Sequence, residues 1–219
     1  MARVAVLLSG CGFKDGSEIH EATLTLLALD EAGAAATCLA PNVPQAMVVN
    51  HRTGQPAAEK RQTLAESARL ARGRVQDVAE VSADDFDAVV LPGGFGAAQN
   101  LCDFATAGAA CRIDAGVERL LVGMHAAGKP IGAWCIAPAV VARALGKHGV
   151  KLTDGNDADT VAALQKLGAV HQTAAPDGVV VDEANKIVTT PAYMFDSSIK
   201  TVWRGIRQGV AEVLRLARR

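Results

Sequence analysis

Three short stretches of the chain are continuously apolar rather than alternately apolar and polar: residues 4–8, 88–91 and 131–134. Continuous apolar runs of this length are typical of strands that are covered on both faces, as in a parallel sheet between two layers of helices. Weaker runs over residues 34–39 and 75–78 predict two more strands. The pattern therefore predicts a mostly parallel central sheet.

Helical periodicity fills the intervals between these strands. An apolar stripe begins at Ile19 and stops before Gly33, another covers residues 117–124, and a third runs from Ile199 to Leu214. Glycine after a periodic segment is a common helix terminator. Strands that alternate with helices through short connections predict a doubly wound α/β fold with right-handed crossovers.

Two features depart from this alternation. Residues 179–181 and 187–189 are β-rich and flank a five-residue polar loop, which predicts a small β-hairpin at the edge of the sheet. Residues 41–59 are polar and contain prolines and a glycine, which indicates an insertion that forms an arm or a lid. Neither feature resembles an interdomain linker, so we expect one domain over residues 1–219.

The composition limits the classes of partner and the cellular compartment that we expect for this protein. The net charge of −1 gives no basic excess for binding nucleic acid. The apolar run at the N-terminus is shorter than that of a secretory signal, and no run is long enough for a membrane helix. The five cysteines form no C-x-x-C pair. An odd number of cysteines without a secretion signal predicts reduced thiols in a cytoplasmic protein.

Cys135 is the strongest candidate for chemistry. It follows the apolar strand that ends at Trp134, and a helix is predicted from about Ile136 with Pro138 in its first turn. A residue at such a turn lies at the carboxyl edge of the sheet, where open α/β sheets bind ligands. The helix N-terminus would favour the thiolate. The pattern predicts a nucleophile, and the alternative is a buried cysteine that acts as a small apolar residue.

A glycine-rich loop with Gly93 and Gly94 follows the apolar strand at 88–91. Glycines let backbone N–H groups approach a ligand closely, so this loop predicts part of an oxyanion hole. The alternative is an ordinary turn without a ligand. The spacing does not match the fingerprint of a dinucleotide-binding loop.

A second glycine-rich loop, residues 9–16, leads into the first helix. Ser17 is a plausible N-cap, and Glu18 and Glu21 would lie in the first turns. The alternative is that both glutamates lie on a solvated face, where their charges stabilise the N-terminus of the helix. His20, beside Glu18, is a candidate for the edge of the site. The histidines and acids have no metal-ligand spacing, so we expect neither a metal nor a cofactor.

Four motifs in order resemble the ElbB-type glyoxalases of the PfpI-like, class I glutamine-amidotransferase-like superfamily. The motifs are SGCGFKDGSEIHEA (residues 9–22), PGGFGAA (92–98), CIAPA (135–139) and NKIVTTPAYM (185–194). The resemblance implies a flavodoxin-like three-layer sandwich, a homodimer, and a cysteine on the turn after a central strand. It also implies a glutamate from the start of the first helix that reaches this cysteine. Glu18 matches that position, which leaves Glu21 a supporting role.

The chain also departs from its superfamily. Ile136 follows Cys135 where PfpI-like proteases have histidine, and the chain lacks the downstream His-x-Glu pair of the amidotransferases. Asp154, a candidate for the surroundings of the site, lies where other members have a histidine about twenty residues after the cysteine. These departures disfavour peptidase and glutaminase activity.

The resemblance therefore implies a cofactor-independent glyoxalase that converts a small α-oxoaldehyde into a hydroxy acid. Cys135 would form a hemithioacetal, N–H groups near Gly94 and Ile136 would hold the oxyanion, and Glu18 would move a proton between the two carbons. The second hypothesis is a redox or electrophile sensor, or a binding protein, that uses Cys135 without efficient turnover.

Overall fold

The computed structural model describes residues 1–218. Its strands and helices are, in chain order, β1 (Arg3–Leu7), α1 (Ile19–Glu31), β2 (Ala35–Ala40), β3 (Val49–Asn50), β4 (Gln55–Pro56), α2 (Thr63–Leu70), β5 (Val75–Asp77), β6 (Ala88–Leu91), α3 (Phe104–Ala107), α4 (Ala115–Ala126), β7 (Ile131–Trp134), α5 (Pro138–Leu145), β8 (Lys151–Leu152), α6 (Ala158–Lys166), β9 (Val170–His171), β10 (Val180–Asp182), β11 (Ile187–Thr190) and α7 (Ile199–Ala217). A π-helical turn, Ala97–Leu101, precedes α3.

Seven strands form the central sheet in the order β10-β11-β7-β6-β1-β2-β5. All neighbours are parallel except β10 and β11, which form the antiparallel hairpin at one edge. The flavodoxin-like fold class with a mostly parallel sheet is therefore confirmed, together with the edge hairpin. The two remaining strand pairs, β3–β4 and β8–β9, lie outside this sheet.

Alternate residues of the central strands point into two separate apolar cores. Ala5 and Leu7 of β1 pack toward α4 and α5, whereas Val4 and Val6 pack toward α1 and α7. This alternation follows from the two-residue period of a strand, and it explains why both sets of positions are apolar. On the α7 side, Trp134 is fully buried and its indole N–H donates to the Thr25 hydroxyl at 3.0 Å.

The sequence pattern does not predict α2 and α6, because each contains few large apolar residues. In α6, Leu164 is the only fully buried side chain, and α2 buries mainly polar groups such as Thr63 and Ser67. The polar insertion at 41–59 contains the β3–β4 hairpin. Within residues 1–218, no helix is both long and apolar enough to span a bilayer.

Candidate active site

A strained turn between β7 and α5 carries Cys135. Its φ of 56° lies in the left-handed region, which a non-glycine residue adopts at an energetic cost and which often marks a functional site. The N–H of Cys135 donates to the carbonyl of Thr190 in β11 at 3.0 Å, and Pro138 occupies the first turn of α5. The strand, the neighbouring strand and the helix start together fix the direction of the side chain.

The backbone N–H groups of Gly94 and Ile136 lie close enough to the Cys135 sulfur to lower the pKa of the thiol. Gly94 has a φ of 92°, and a Cβ on it would lie 2.4 Å from both the Glu18 nitrogen and the Gly16 oxygen. Only glycine allows this loop to pack against the start of α1 while its N–H faces the sulfur. The arrangement provides two donors for a negative charge that develops beside the sulfur.

Glu21 brings a carboxyl group to the other side of the sulfur. It is fully buried, its Oε2 accepts a hydrogen bond from the Gly93 N–H at 2.8 Å, and the Cys135 thiol also donates to it. Burial, and next the charge of Glu18, raise the pKa of Glu21 to about 8. A carboxyl group with this pKa can both accept and donate a proton near neutral pH.

The prediction that Glu18 is the glutamate in contact with the cysteine is therefore wrong. Glu18 is the N-cap of α1, and its Oε2 accepts from the Glu21 N–H at 2.7 Å, which turns its carboxylate back along the helix. Glu21 instead shares the inward stripe of α1 with Thr25 and Leu29. That spacing of four residues was the sequence signal that could have identified it.

Ser17 and Gly93 also have other roles than predicted. Ser17 is not the N-cap of α1, since its hydroxyl accepts from the Ser9 N–H at 2.8 Å. The Gly93 N–H is used by Glu21 and not by an oxyanion site. A Cβ on Gly93 would lie 2.4 Å from the Cβ of Cys135, so this glycine lets the cysteine and the glutamate meet.

The resting state of Cys135 is the thiol. Burial raises its pKa well above the ordinary value and the neighbouring Glu21 raises it further, while the Gly94 and Ile136 N–H groups lower it only in part. The start of α5 favours the thiolate, as predicted, since the Ile136 N–H lowers the pKa, but burial and Glu21 outweigh this influence. Any nucleophilic attack by this sulfur needs a base that removes the proton.

A pocket of about 410 Å³ opens over the sulfur. The residues that line it are Phe13, Glu18, Gly94, Phe95, Cys135, Ile136, Asp157, Thr160, Tyr193 and Met194. Sequence reasoning missed its aromatic walls, although Tyr193 and Met194 lie within one of the four motifs. A crevice of about 460 Å³ between α1 and β5 is larger, but burial is the only recorded influence on the pKa of its one cysteine, Cys38, whereas Cys135 has a carboxyl group and two backbone N–H groups beside it. We therefore assign the candidate site by its chemistry and not by its size.

The other two predicted neighbours lie outside the lining. The His20 Nδ1 is 2.9 Å from the Tyr193 hydroxyl, and the exposed imidazole is at the rim. Asp154 is buried beside His171, with 3.4 Å between Oδ1 and Nε2. Burial raises the pKa of Asp154 to about 7 and lowers that of His171. The lining residues include no histidine in the described part of the chain.

The insertion supports one wall of the pocket. The Val49 N–H of β3 donates to Asp15 Oδ2 at 2.7 Å, and the Lys14 N–H donates to His51 Nε2 at 3.2 Å. The His51 ring packs edge-on against Phe13, with 5.6 Å between centroids. The β3–β4 hairpin therefore fixes the loop that places Phe13 in the lining. No group of three or more His, Cys, Asp or Glu residues suited to a metal occurs among residues 1–218.

Curated relatives cover nearly the whole chain. The human protein named glutamine amidotransferase-like class 1 domain-containing protein 3, mitochondrial, is 46% identical over 98% of this chain and 83% of its own length. The rat ES1 protein homolog, mitochondrial, is 44% identical over 98% of this chain and 84% of its own length. The zebrafish ES1 protein, mitochondrial, is 35% identical over 97% and 85%.

These names contradict the prediction of a cytoplasmic protein. All three relatives carry the word mitochondrial in their names. The prediction rested on an odd number of cysteines and the absence of a secretory pattern, and both features suit any reducing compartment. The cysteine count could not separate one such compartment from another.

Solved structures and a family profile agree with the fold. A structure described as an isoprenoid biosynthesis protein with an amidotransferase-like domain, from Ehrlichia chaffeensis, superposes with a TM-score of 0.91 at 37% identity, over 97% of this chain and 99% of that one. Drosophila DJ-1beta shares the fold, with a TM-score of 0.52 at 21% identity over 99% and 96%. The profile of the DJ-1/PfpI family matches residues 2–196, and this chain belongs to that family.

Proposed function

We propose that the protein is a cofactor-independent glyoxalase of the ElbB type, which converts an α-oxoaldehyde into the corresponding hydroxy acid. One observation carries the proposal: the Cys135 thiol lies between a buried carboxyl group, that of Glu21, and two backbone donors. This arrangement supplies a nucleophile, a base and an oxyanion site without a metal or an organic cofactor.

In the first step, the Cys135 sulfur attacks the aldehyde carbon. The thiol proton passes to the ionised form of Glu21 while the sulfur–carbon bond forms, so a free thiolate is not needed. The aldehyde oxygen becomes an alkoxide, which the Gly94 and Ile136 N–H groups stabilise. Glu21 then returns the proton to this oxygen, which gives a hemithioacetal.

In the second step, a proton moves between the two carbons. Glu18, which lines the pocket, removes the hydrogen of the former aldehyde carbon, and the adjacent carbonyl oxygen is protonated to give an enediol. Return of the proton to the second carbon, with loss of the proton from the hydroxyl group of the first carbon, produces a hydroxy thioester; the lost proton replaces the one taken up by the carbonyl oxygen. Water then attacks the thioester carbonyl, the bond to sulfur breaks, and the Cys135 thiol is regenerated. The first carbon is oxidised and the second reduced, so no external redox agent is required.

Production of glycolate from glyoxal by the purified protein tests the proposal. We expect product formation by the wild type, and none above background by Cys135→Ala. Cys11→Ala is the matched control, because Cys11 is in the loop after β1 and does not line the pocket. Wild-type turnover that Cys135→Ala retains, or no wild-type turnover of either glyoxal or a larger α-oxoaldehyde, contradicts the proposal.

The sensor hypothesis is less well supported by the site. A cysteine whose pKa is raised reacts slowly with peroxide, because the thiolate is the form that is oxidised. Mass spectrometry after mild peroxide treatment distinguishes the two functions. Selective oxidation of Cys135 in a protein without glyoxal turnover would favour the sensor.

Glutamine hydrolysis is disfavoured by the surroundings of the cysteine. His171 is buried beside Asp154, and His20 contacts Tyr193 at the rim, so neither takes the position of a base for Cys135. Release of ammonia from glutamine would overturn this judgement.

The proposal also includes a homodimer, which rests on the family resemblance alone and which light scattering can test.

A further inference from the structure

We infer that the site selects a neutral α-oxoaldehyde with an apolar, ring-sized substituent over two-carbon glyoxal. The inference rests on the proposed function for the reacting group, an α-oxoaldehyde. The size and the charge of the substituent are inferred from the volume and the lining residues of the pocket alone. Three observations carry it: the volume of the pocket, the two exposed aromatic side chains in its lining, and the sign of its charges.

The pocket is too large for glyoxal. Its volume is about 410 Å³, which is roughly that of a dozen water molecules at about 30 Å³ each. Glyoxal is much smaller than this space, and a phenyl-substituted oxoaldehyde would occupy far more of it. Pockets of about 300–1,000 Å³ commonly hold ligands with a ring or a chain. Glyoxal would leave most of the apolar lining in contact with water.

The lining includes two phenylalanines that are exposed in the protein without ligand. The Phe13 residue is 44% exposed and the Phe95 residue 50%. They belong to different glycine-rich loops, and the Phe95 N–H donates to the Phe13 carbonyl at 2.7 Å, which fixes the two loops beside each other. Ile136 and Met194 continue the apolar wall. Exposed rings beside a nucleophile gain free energy when an apolar substituent covers them.

The charges in the lining are all acidic. Glu18 and Asp157 contribute carboxylates, and hydrogen bonds from Thr160 lower the pKa of Asp157, which keeps it ionised. The lining contains no lysine, arginine or histidine among residues 1–218. Two basic groups lie near the lining but outside it: the His20 imidazole, 4.0 Å from the Glu18 carboxylate, and the Lys14 ammonium, 5.0 Å from the centre of the Phe13 ring. A substrate with a carboxylate would therefore be repelled.

The first experiment compares kcat/KM for three aldehydes. We expect phenylglyoxal to exceed glyoxal by about tenfold or more, because the ring buries apolar surface. The 4-carboxy derivative of phenylglyoxal has the same ring with an added negative charge, and we expect about fivefold lower kcat/KM than for phenylglyoxal at low salt. Equal or higher kcat/KM for glyoxal overturns the inference and leaves the proposed function intact.

The second experiment does not depend on turnover. The rate at which Cys135 is alkylated is measured by mass spectrometry with N-benzyliodoacetamide, iodoacetamide and iodoacetate, and each rate is divided by that of a small free thiol. We expect the benzyl reagent to be preferred about tenfold over iodoacetamide, and iodoacetate to be disfavoured. If no aldehyde is turned over, this preference still supports the neutral apolar pocket. Lack of preference overturns it.

Variants connect the preference to the pocket. Phe13→Ala and Phe95→Ala should each reduce the preference for the benzyl reagent over iodoacetamide by about threefold or more. Both side chains are exposed, so the variants should fold. Leu27→Ala is the matched control, because Leu27 is 44% exposed on α1 outside the lining. An undiminished preference in both phenylalanine variants overturns the assignment of the apolar wall.

Discussion

At the scale of single residues, the central feature is the contact between a thiol and a carboxyl group that are both neutral at rest. Cys135 and Glu21 are buried side by side, and burial raises the pKa of each. Ionisation of either group costs free energy, because both are buried and a second charge would lie beside the first. In the proposed mechanism, the minor fraction of the protein with ionised Glu21 therefore reacts, and the thiol proton moves to Glu21 as the bond to the substrate forms.

The first prediction concerns the pH dependence of activity. Only the ionised form of Glu21 can accept the thiol proton, so wild-type kcat/KM should rise with pH through the pKa of Glu21, about 8. Glu21→Gln should lose about 100-fold or more of kcat/KM, and its residual activity should lack this rise. A kcat/KM profile from pH 6 to 9 checks both. The same rise in Glu21→Gln would assign the titration to another group.

The second prediction concerns the pH dependence of stability. A carboxyl group whose pKa rises from 4.5 to about 8 on folding stabilises the native state fully below about pH 4.5 and loses this contribution as the pH rises through 8. We expect the wild-type free energy of unfolding to fall between pH 7 and 8.5, and to fall less in Glu21→Gln. Urea titrations at several pH values measure this. The pKa of Asp154 is about 7, so most of its contribution to stability is lost by that pH. A further fall above pH 7 therefore reports on Glu21.

At the scale of elements, the site is assembled from loops that follow different strands. The loop after β1, the loop after β6 and the turn after β7 meet because β7, β6 and β1 are neighbours in the sheet. Gly94 and Gly93 allow the β6 loop to pass between α1 and the turn at Cys135. The predictions at this scale therefore concern close packing of backbone and the support of one loop by another.

The third prediction compares two glycines with positive φ. A Cβ on Gly94 would meet backbone atoms at 2.4 Å, whereas a Cβ on Gly54 in the arm would meet only the Lys14 Nζ at 3.7 Å. Gly54→Ala should cost about 1 kcal/mol of stability from backbone conformation alone. Gly94→Ala should cost about 3 kcal/mol or more and should abolish turnover. Chemical unfolding measures both, and equal costs would contradict the close approach of this loop to α1.

The fourth prediction concerns the β3–β4 arm. His51→Ala removes the edge-on contact with Phe13 and the acceptor for the Lys14 N–H. We expect the KM for phenylglyoxal to rise about threefold or more, because the apolar wall is less fixed, with less than about twofold change for glyoxal. Arg52→Ala, an exposed substitution in the same hairpin, is the control. Equal effects on the two substrates would contradict a role of the arm in the pocket wall.

At the scale of the whole molecule, one sheet separates and connects two apolar cores. The fold could be predicted because the strands at 88–91 and 131–134 are apolar on both faces and long helices have clear stripes. The pocket could not, because Phe13, Phe95 and Met194 come from distant parts of the chain and meet only through strand order. Sequence spacing also could not show that Glu21 contacts the thiol while Glu18 caps α1 and lines the pocket.

The fifth prediction concerns cooperativity. Both cores pack on opposite faces of the same strands, so loss of either should destabilise the other. We expect one unfolding transition with coincident midpoints for far-ultraviolet circular dichroism and tryptophan fluorescence, in which buried Trp134 reports on the α7 side. This would support the single domain proposed for residues 1–219. Two resolved transitions would contradict it.

The support of Phe13 by the β3–β4 arm has a consequence for how this protein can diverge. The reacting thiol and its acid are fixed by the sheet and α1, whereas the wall that meets the substituent depends on a hairpin outside the sheet. Changes in that hairpin can therefore alter which molecules are accepted while the bond-forming groups stay in register. If the proposed function holds, recombination of arms between homologues is a practical route to new selectivity with Cys135 and Glu21 unchanged.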